Sequence, residues 1–240
     1  MEGKILAGIR NSGFSLDWLA GHFPELSGLK EVPQNPEYHG EGDVYRHTEM
    51  VCRELVNLPE WLELEAAEQE LLFLAAAFHD IGKAACTKQE DGKWVSPKHT
   101  IVGEKDFRRL AYRNAECFGM TFWQRETAAK LIRFHGLPVW FLTKRRVEFD
   151  LLKAAESIPL RLLYLLSKAD VRGRIAEGEG RMEEHVELFA DYAKELNLWE
   201  KPYVFANPFT KYQYFHKEGL WQGAELFDDT EFDVILMSGL

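Results

Sequence analysis

The sequence predicts an all-α protein, a helical bundle with an irregular C-terminal tail that ends in one short strand-like segment. Three observations point there. Val44, His47, Val51, Leu55 and Leu58 follow spacings of three and four and are apolar but for His47, the period of an amphipathic helix. Helix starts and stops punctuate the chain: Asp43 and Thr121 as caps, Pro159 in a first turn, Gly136-Leu137-Pro138 as a stop. Only the last nine residues, 232–240 (FDVILMSGL), read as a buried strand.

Residues 24–43 are rich in Pro and Gly and read as a loop. The first helix starts after Asp43. Residues 60–80 form a second, apolar all round at its C-terminal end, so that end must be buried. Gly82 can terminate it. Residues 86–98 are a polar excursion around Asp91-Gly92, a turn or short hairpin. Further helices are expected over Thr100 to Phe118, Thr121 to His135, Val147 to Ser157, Pro159 to about Arg172, and Gly180 or Arg181 to Leu198. Residues 199–219 are aromatic, Pro-containing and non-periodic, and read as a linker.

The chain has 240 residues and a formal net charge of −10. Such a surface repels a phosphate backbone on average, which disfavours broad nucleic-acid binding. A local basic pocket for one phosphate or one strand end is still compatible with it. The longest strongly apolar run, Leu71 to Phe78, is far shorter than the roughly 20 residues that cross a bilayer. The N-terminus lacks a signal-peptide layout, so a cytoplasmic protein with no membrane partner is expected. Cys52, Cys86 and Cys117 form no CxxC pair and are expected to be free, buried thiols.

His79-Asp80 follows apolar helical turns, where a polar pair is costly unless satisfied. Asp170 ends another apolar helix, and His47 lies on the apolar side of a third. One shared cation accounts for all of them. Mixed His/Asp ligation suits a divalent transition metal such as Mn, Fe, Co, Ni or Zn. His99 and His135 stand at helix termini. They either complete a second metal position, with Asp80 bridging, or serve as hydrogen-bonding partners and phosphate contacts. Two ions roughly 3.5–4 Å apart can clamp a phosphoryl displacement. Lys83, three residues past Asp80, can hold a phosphate oxygen and act in catalysis. Lys98, Arg172 and Arg174 are further phosphate-binding candidates, Arg172 also a catalytic one. Arg172 and Arg174 can equally complement a helix dipole. The run Lys144-Arg145-Arg146 reads as a solvated turn, or as a patch that steers a polyanion.

The order H…HD…D, centred on AAAFHDIGK, resembles the HD superfamily of metal-dependent phosphohydrolases over roughly residues 30–175. More narrowly, PQNPEYHGEGDVYRHT, FHDIGK, SPKHTIVGEK and SKADVRGR resemble, in order, the HD domain attached to bacterial CCA-adding enzymes. The resemblance implies that His47, His79, Asp80 and Asp170 bind the first metal. It implies phosphatase and 2′,3′-cyclic phosphodiesterase chemistry on nucleotides or on RNA or DNA 3′ ends. The tail FDVILMSGL resembles the first strand of a P-loop kinase, although no G-x-x-x-x-G-K-[ST] follows. That order of domains is similar to end-healing enzymes in which an HD module precedes a polynucleotide kinase. The expected organisation is therefore an HD domain over 1–198 and a linker and tail over 199–240, leading toward a kinase domain in cis. The expected activity is removal of 2′,3′-cyclic phosphate, 2′-phosphate and 3′-phosphate from nucleic-acid ends or nucleotides, as in end repair. The rivals are an HD hydrolase of free nucleotides (5′-nucleotidase or dNTPase-like), a non-catalytic nucleotide-binding HD module, and an alarmone hydrolase. The last group carries an acidic pair where this chain has Ile81-Gly82-Lys83.

Overall fold

A computed structural model of the chain describes residues 4–176, 179–229 and 231. Ten helices of at least seven residues are found among them: α1 Lys4–Asn11, α2 Leu16–His22, α3 Val44–Asn57, α4 Ala66–Phe78, α5 His99–Arg113, α6 Phe122–Phe134, α7 Val147–Ala155, α8 Leu160–Arg172, α9 Glu179–Glu195 and α10 Pro208–His216. The one sheet among the described residues is a hairpin of β1 Lys88–Glu90 and β2 Lys93–Val95. The fold is all-α, as the periodicity requires. Among the described residues no helix is long and apolar enough to cross a membrane.

The central element is α4. Every residue from Glu70 to Phe78 is buried, and the helix packs against α1, α3, α6 and α8. Phe73 and Phe78 are fully buried, each worth roughly 2–3 kcal/mol of apolar transfer. The helix is shorter than expected from its apolar pattern. Leu58, before Pro59, is held extended (φ −65°, ψ 135°). A 3₁₀ turn over Pro59–Glu63 then precedes α4.

Caps hold the other helices where the sequence places them. Asp43 accepts the Arg46 N–H at 2.8 Å and starts α3. Thr121 and Gln124 form a reciprocal capping box at α6. Asp91 and Gly92 both have positive φ, 48° and 78°, which closes the tight hairpin between β1 and β2. The long helix expected to reach Phe118 breaks at Asn114, and a separate turn covers Ala115–Phe118. Two helices, α1 and α2, occupy a stretch to which sequence reasoning assigned no element. Ile5, Leu6, Ile9, Leu16 and Leu19 bury their apolar side, and the Ser15 hydroxyl accepts the Trp18 N–H at 3.2 Å. Cys52 is buried, while Cys86 and Cys117 are half-buried rather than buried; all three are free.

The chain divides into two compact units, Met1–Pro202 and Tyr203–Leu240. In the second, the expected linker contains α10. Asn207 caps it by accepting the Thr210 N–H at 2.7 Å, and Pro208 occupies its first turn. Thr210 and Asn207 also hold the backbone of Leu226. The strand expected over 232–240 lies outside the described residues.

Gly82 ends no helix through a left-handed turn: its φ is −67°. Its requirement is steric. A Cβ there would lie 2.2 Å from the His99 carbonyl oxygen and 2.5 Å from the Gly103 nitrogen. The glycine thus lets the start of α5 press against the turn that follows His79-Asp80. Gly82→Ala should destabilise the protein by about 1–3 kcal/mol, the usual cost of overpacking. Urea unfolding reads this out; an unchanged midpoint would show that α5 accommodates the methyl.

Candidate metal centre

Three segments of the first unit bring four polar side chains to one place. His47 comes from the buried side of α3, His79 and Asp80 from the turn after α4, and Asp170 from the last turn of α8. All four residues are buried, none more than 2% exposed. His47 Nε2 lies 3.1 Å from Asp170 Oδ1 and 3.8 Å from Asp80 Oδ2. His79 Nε2 lies 3.3 Å from Asp80 Oδ2 and 3.9 Å from Asp170 Oδ1. On the other side of Asp80, His99 Nε2 and His135 Nε2 lie 3.5 and 3.8 Å from Oδ1.

The histidines share one orientation. His79 Nδ1 is 2.7 Å from the Ala76 carbonyl, His99 Nδ1 2.8 Å from that of Ser96, and His135 Nδ1 2.8 Å from that of Ile132. His47 Nδ1 faces the Gly173 carbonyl at 3.1 Å and Glu41 Oε1 at 3.0 Å. A carbonyl only accepts, so in each ring Nδ1 is the donor, and whenever the ring is neutral Nε2 carries the lone pair. The Nε2 atoms of His47 and His79 stand 3.4 Å apart.

Electrostatics completes the picture. Burial alone would raise the Asp80 carboxyl; the Lys83 ammonium, with the adjacent His79 imidazole, overcomes it and holds Asp80 well below the carboxylate range. Burial likewise opposes the Asp170 charge, and Arg174 and His47 outweigh it. Burial disfavours charge on His47, but the Asp170 and Glu41 carboxylates raise its pKa. Burial pushes His135 down to about 3, with the neighbouring His79 imidazole acting in the same direction. It also lowers His99. Both rings are therefore neutral near pH 7, as ligands must be. Asp80 Oδ1 is buried and has no hydrogen-bond partner, a costly arrangement for an anionic oxygen. Convergent lone pairs, two carboxylates and one orphaned oxygen are the donor set of a divalent cation. His47, His79 and Asp170 can hold one ion, and His79, Asp80 and His135 another.

Not every expected residue arrives. Lys83 does: its Nζ is 2.7 Å from both Asp80 Oδ2 and Gln34 Oε1. Arg174 spans Asp170, its Nη2 2.6 Å from Oδ2 and its Nε 3.2 Å from Oδ1. Arg172 is not brought to the centre. It bonds Glu183 at 2.5 Å and does not line the cleft. Two residues along a helix is about 200°, so Arg172 points away from the side that carries Asp170. Lys98 is exposed, in a left-handed conformation before α5, and it too is absent from the cleft wall. Lys144 does line the cleft.

Three contributors escaped sequence reasoning: Gln34, His39 and Glu41, all in the segment read as a loop. His39 Nδ1 bonds Glu41 Oε1 at 2.8 Å, and its ring packs edge-on against His47 with centroids 4.8 Å apart. Burial lowers the His39 pKa to about 4. The available signal was composition: His and Glu alternating with the glycines of HGEG, directly before the Asp43 cap. A cleft of about 500 Å³ opens at the cluster, lined by His39, Lys83 and His99 and also by Arg133, Trp140 and Lys144.

Comparison with known proteins agrees with this geometry. Residues 44–170 match the family described as HD domain, a span that runs from the N-terminus of α3 to Asp170. The chain is 37% identical over 193 residues to the multifunctional CCA protein of Pasteurella multocida, covering 74% of this chain and 39% of that protein. It is 32% identical over 185 residues to the multifunctional CCA protein of Xanthomonas campestris pv. campestris, covering 73% of this chain and 41% of that protein. The one from Mannheimia succiniciproducens is 39% identical over 167 residues, 63% of this chain and 35% of that protein. The chain thus spans about two fifths of the length of these curated relatives. Nothing in these matches supports the expected C-terminal kinase domain. With the His and Asp residues of the H…HD…D order gathered in one buried cluster inside the matched span, the chain belongs to the HD domain family.

Proposed function

We propose that this protein is a metal-dependent phosphoesterase that removes 2′,3′-cyclic phosphate, 2′-phosphate and 3′-phosphate from RNA or DNA ends or from nucleotides. One observation carries the reading: a donor set for one or two divalent ions stands at the base of a cleft whose wall also presents an ammonium group. Membership of the HD domain family supports hydrolytic chemistry. The resemblance to the HD domain of multifunctional CCA proteins favours a nucleic-acid end or nucleotide as substrate. Its place in the cell follows as the cytoplasm, where such substrates are met.

His47, His79, Asp80 and Asp170 would hold the first ion. His99 and His135, with Asp80 Oδ1, would hold a second. Imidazole and carboxylate donors suit Mn, Fe, Co, Ni or Zn. When bound, such an ion polarises a phosphoryl oxygen and lowers the pKa of water toward about 7.

The remaining steps belong to the protein. Lys83 keeps Asp80 ionised and presents its ammonium to the cleft, where it offsets charge on the phosphoryl oxygens. Arg174 fixes both oxygens of Asp170, so we assign it to orienting that carboxylate as well as to the electrostatics of the phosphate site. Trp140 is 49% exposed on the cleft wall. It offers a face on which a terminal base can stack, a contact worth about 1–3 kcal/mol. Arg133 and Lys144 line the same cleft and suit the phosphate of a preceding nucleotide.

His79→Ala and Asp80→Ala should each lose bound metal and phosphate release together. Elemental analysis paired with phosphate release from 2′,3′-cyclic NMP, 3′-NMP, 5′-NMP and dNTP checks this. Preference for dNTP or 5′-NMP would replace the end-processing reading with that of a free-nucleotide hydrolase. Lys83→Ala should lower kcat by about 10²–10³-fold, the usual cost of losing one preorganised donor, with metal content unchanged. An equal loss of metal would assign Lys83 to ion binding instead. Trp140→Ala should raise KM about tenfold for nucleotide substrates, as one lost stacking contact implies, and leave KM for a base-free sugar phosphate unchanged. Equal effects on both would remove Trp140 from base recognition.

A further inference from the structure

Glu41 is a buried anion that the proposed mechanism leaves unused. Its side chain is 0% exposed, yet it lies in a turn between helices, not in the packed bundle. One carboxylate oxygen, Oε1, serves two imidazoles: His39 Nδ1 at 2.8 Å and His47 Nδ1 at 3.0 Å. The other, Oε2, accepts the backbone N–H of Ile175 at 2.9 Å. Burial would raise this carboxyl; the three N–H donors outweigh it and keep it ionised far below the usual range.

The tautomer of His47 does not require a charge. The Gly173 carbonyl, 3.1 Å from Nδ1, already holds a proton on that nitrogen and leaves Nε2 as the atom facing Asp170. What Glu41 adds is a full negative charge behind the ring. A carboxylate on one imidazole nitrogen makes the other a stronger donor, and this is the main lever by which outer groups tune a metal ligand. Glu41 also ties the segment before α3 to the residue just after Arg174, so the carboxylate holds His47 from both flanks.

We infer that Glu41 is a positioning residue for the first metal, acting through His47 by the Glu41 Oε1–His47 Nδ1 contact. The inference rests on the metal reading above. Its charge strengthens the donation from His47 Nε2, and its second oxygen fixes the ring against the end of α8.

The test is cobalt(II) binding by the metal-free full chain, measured by competition with a chelator, in the parent and in Glu41→Gln. The glutamine keeps the shape and one acceptor oxygen but removes the charge. Affinity should fall by about 10–100-fold. In proton NMR of the cobalt-loaded protein, the hyperfine-shifted, exchangeable imidazole N–H of His47 should move. A merely structural role would not shift that resonance. Unchanged affinity, or an unmoved N–H signal, overturns the inference. Should Glu41→Gln fail to fold, Glu41→Asp keeps the charge but withdraws it by one methylene, and the same two readouts decide. A parent that binds no cobalt sinks the metal reading itself; a parent that binds it as tightly as the variant does sinks only the role of Glu41.

Discussion

The need to balance buried negative charge governs this molecule. Glu41, Asp80 and Asp170 are ionised inside the protein, where an unpaired carboxylate costs many kcal/mol. The fold answers each differently. Asp80 receives Lys83 from three residues along its own turn, and Asp170 receives Arg174 from four residues along its own chain. Glu41 receives N–H donors only. These compensations are incomplete, because Asp80 Oδ1 is left without a partner. An unsatisfied oxygen at the foot of an accessible cleft is a cost that a divalent cation would remove, so on the proposed metal reading, binding the ion would also stabilise the fold.

Helix geometry serves this requirement twice. A helix leaves its last carbonyls without intrahelical partners. His79 and His135 follow α4 and α6 directly, and each donates Nδ1–H to the carbonyl three residues back. One bond therefore caps a helix end and fixes a tautomer. The second device is close backbone approach. A Cβ at Gly173 would lie 2.6 Å from the Val51 nitrogen, so the glycine lets α8 end against α3. That contact sets Asp170 beside His47. Gly82 plays the matching part between the His79-Asp80 turn and α5, which carries His99.

These relations explain what the sequence made legible. The helices announce themselves through period and caps, and the ligands through a polar residue on an apolar side. His47, His79, Asp80 and Asp170 are visible because each violates its local pattern. Arg172 lies near Asp170 in sequence but on the wrong helical phase; Arg174, two residues further and about one turn past Asp170, is the residue that returns to it. Lys98 failed for a similar reason, standing just before the helix that His99 opens. Glu41, His39 and Gln34 were illegible because a loop has no period against which a misplaced polar residue can stand out. Likewise α10 was hidden by aromatic residues without periodicity, although Asn207-Pro208 is a helix start in itself.

The two cations beside the cluster differ in kind, and the difference assigns their work. The guanidinium of Arg174 meets Asp170 through Nε and Nη2, one donor for each carboxylate oxygen. A planar fork used in this way fixes the carboxylate it grips. Lys83 has three N–H donors. Asp80 Oδ2 and Gln34 Oε1 take two of them at 2.7 Å, and the residue lines the cleft. One donor on a compact charge is thus left for a ligand, and Gln34, anchored to the Asp43 carbonyl at 3.1 Å, keeps the ammonium from swinging away. The same loop that supplies Glu41 behind His47 therefore supplies Gln34 behind Lys83. The segment before α3 thus braces both His47 and Lys83, the residues proposed to serve metal and phosphate, which is why a stretch with so little regular structure carries so many buried polar contacts.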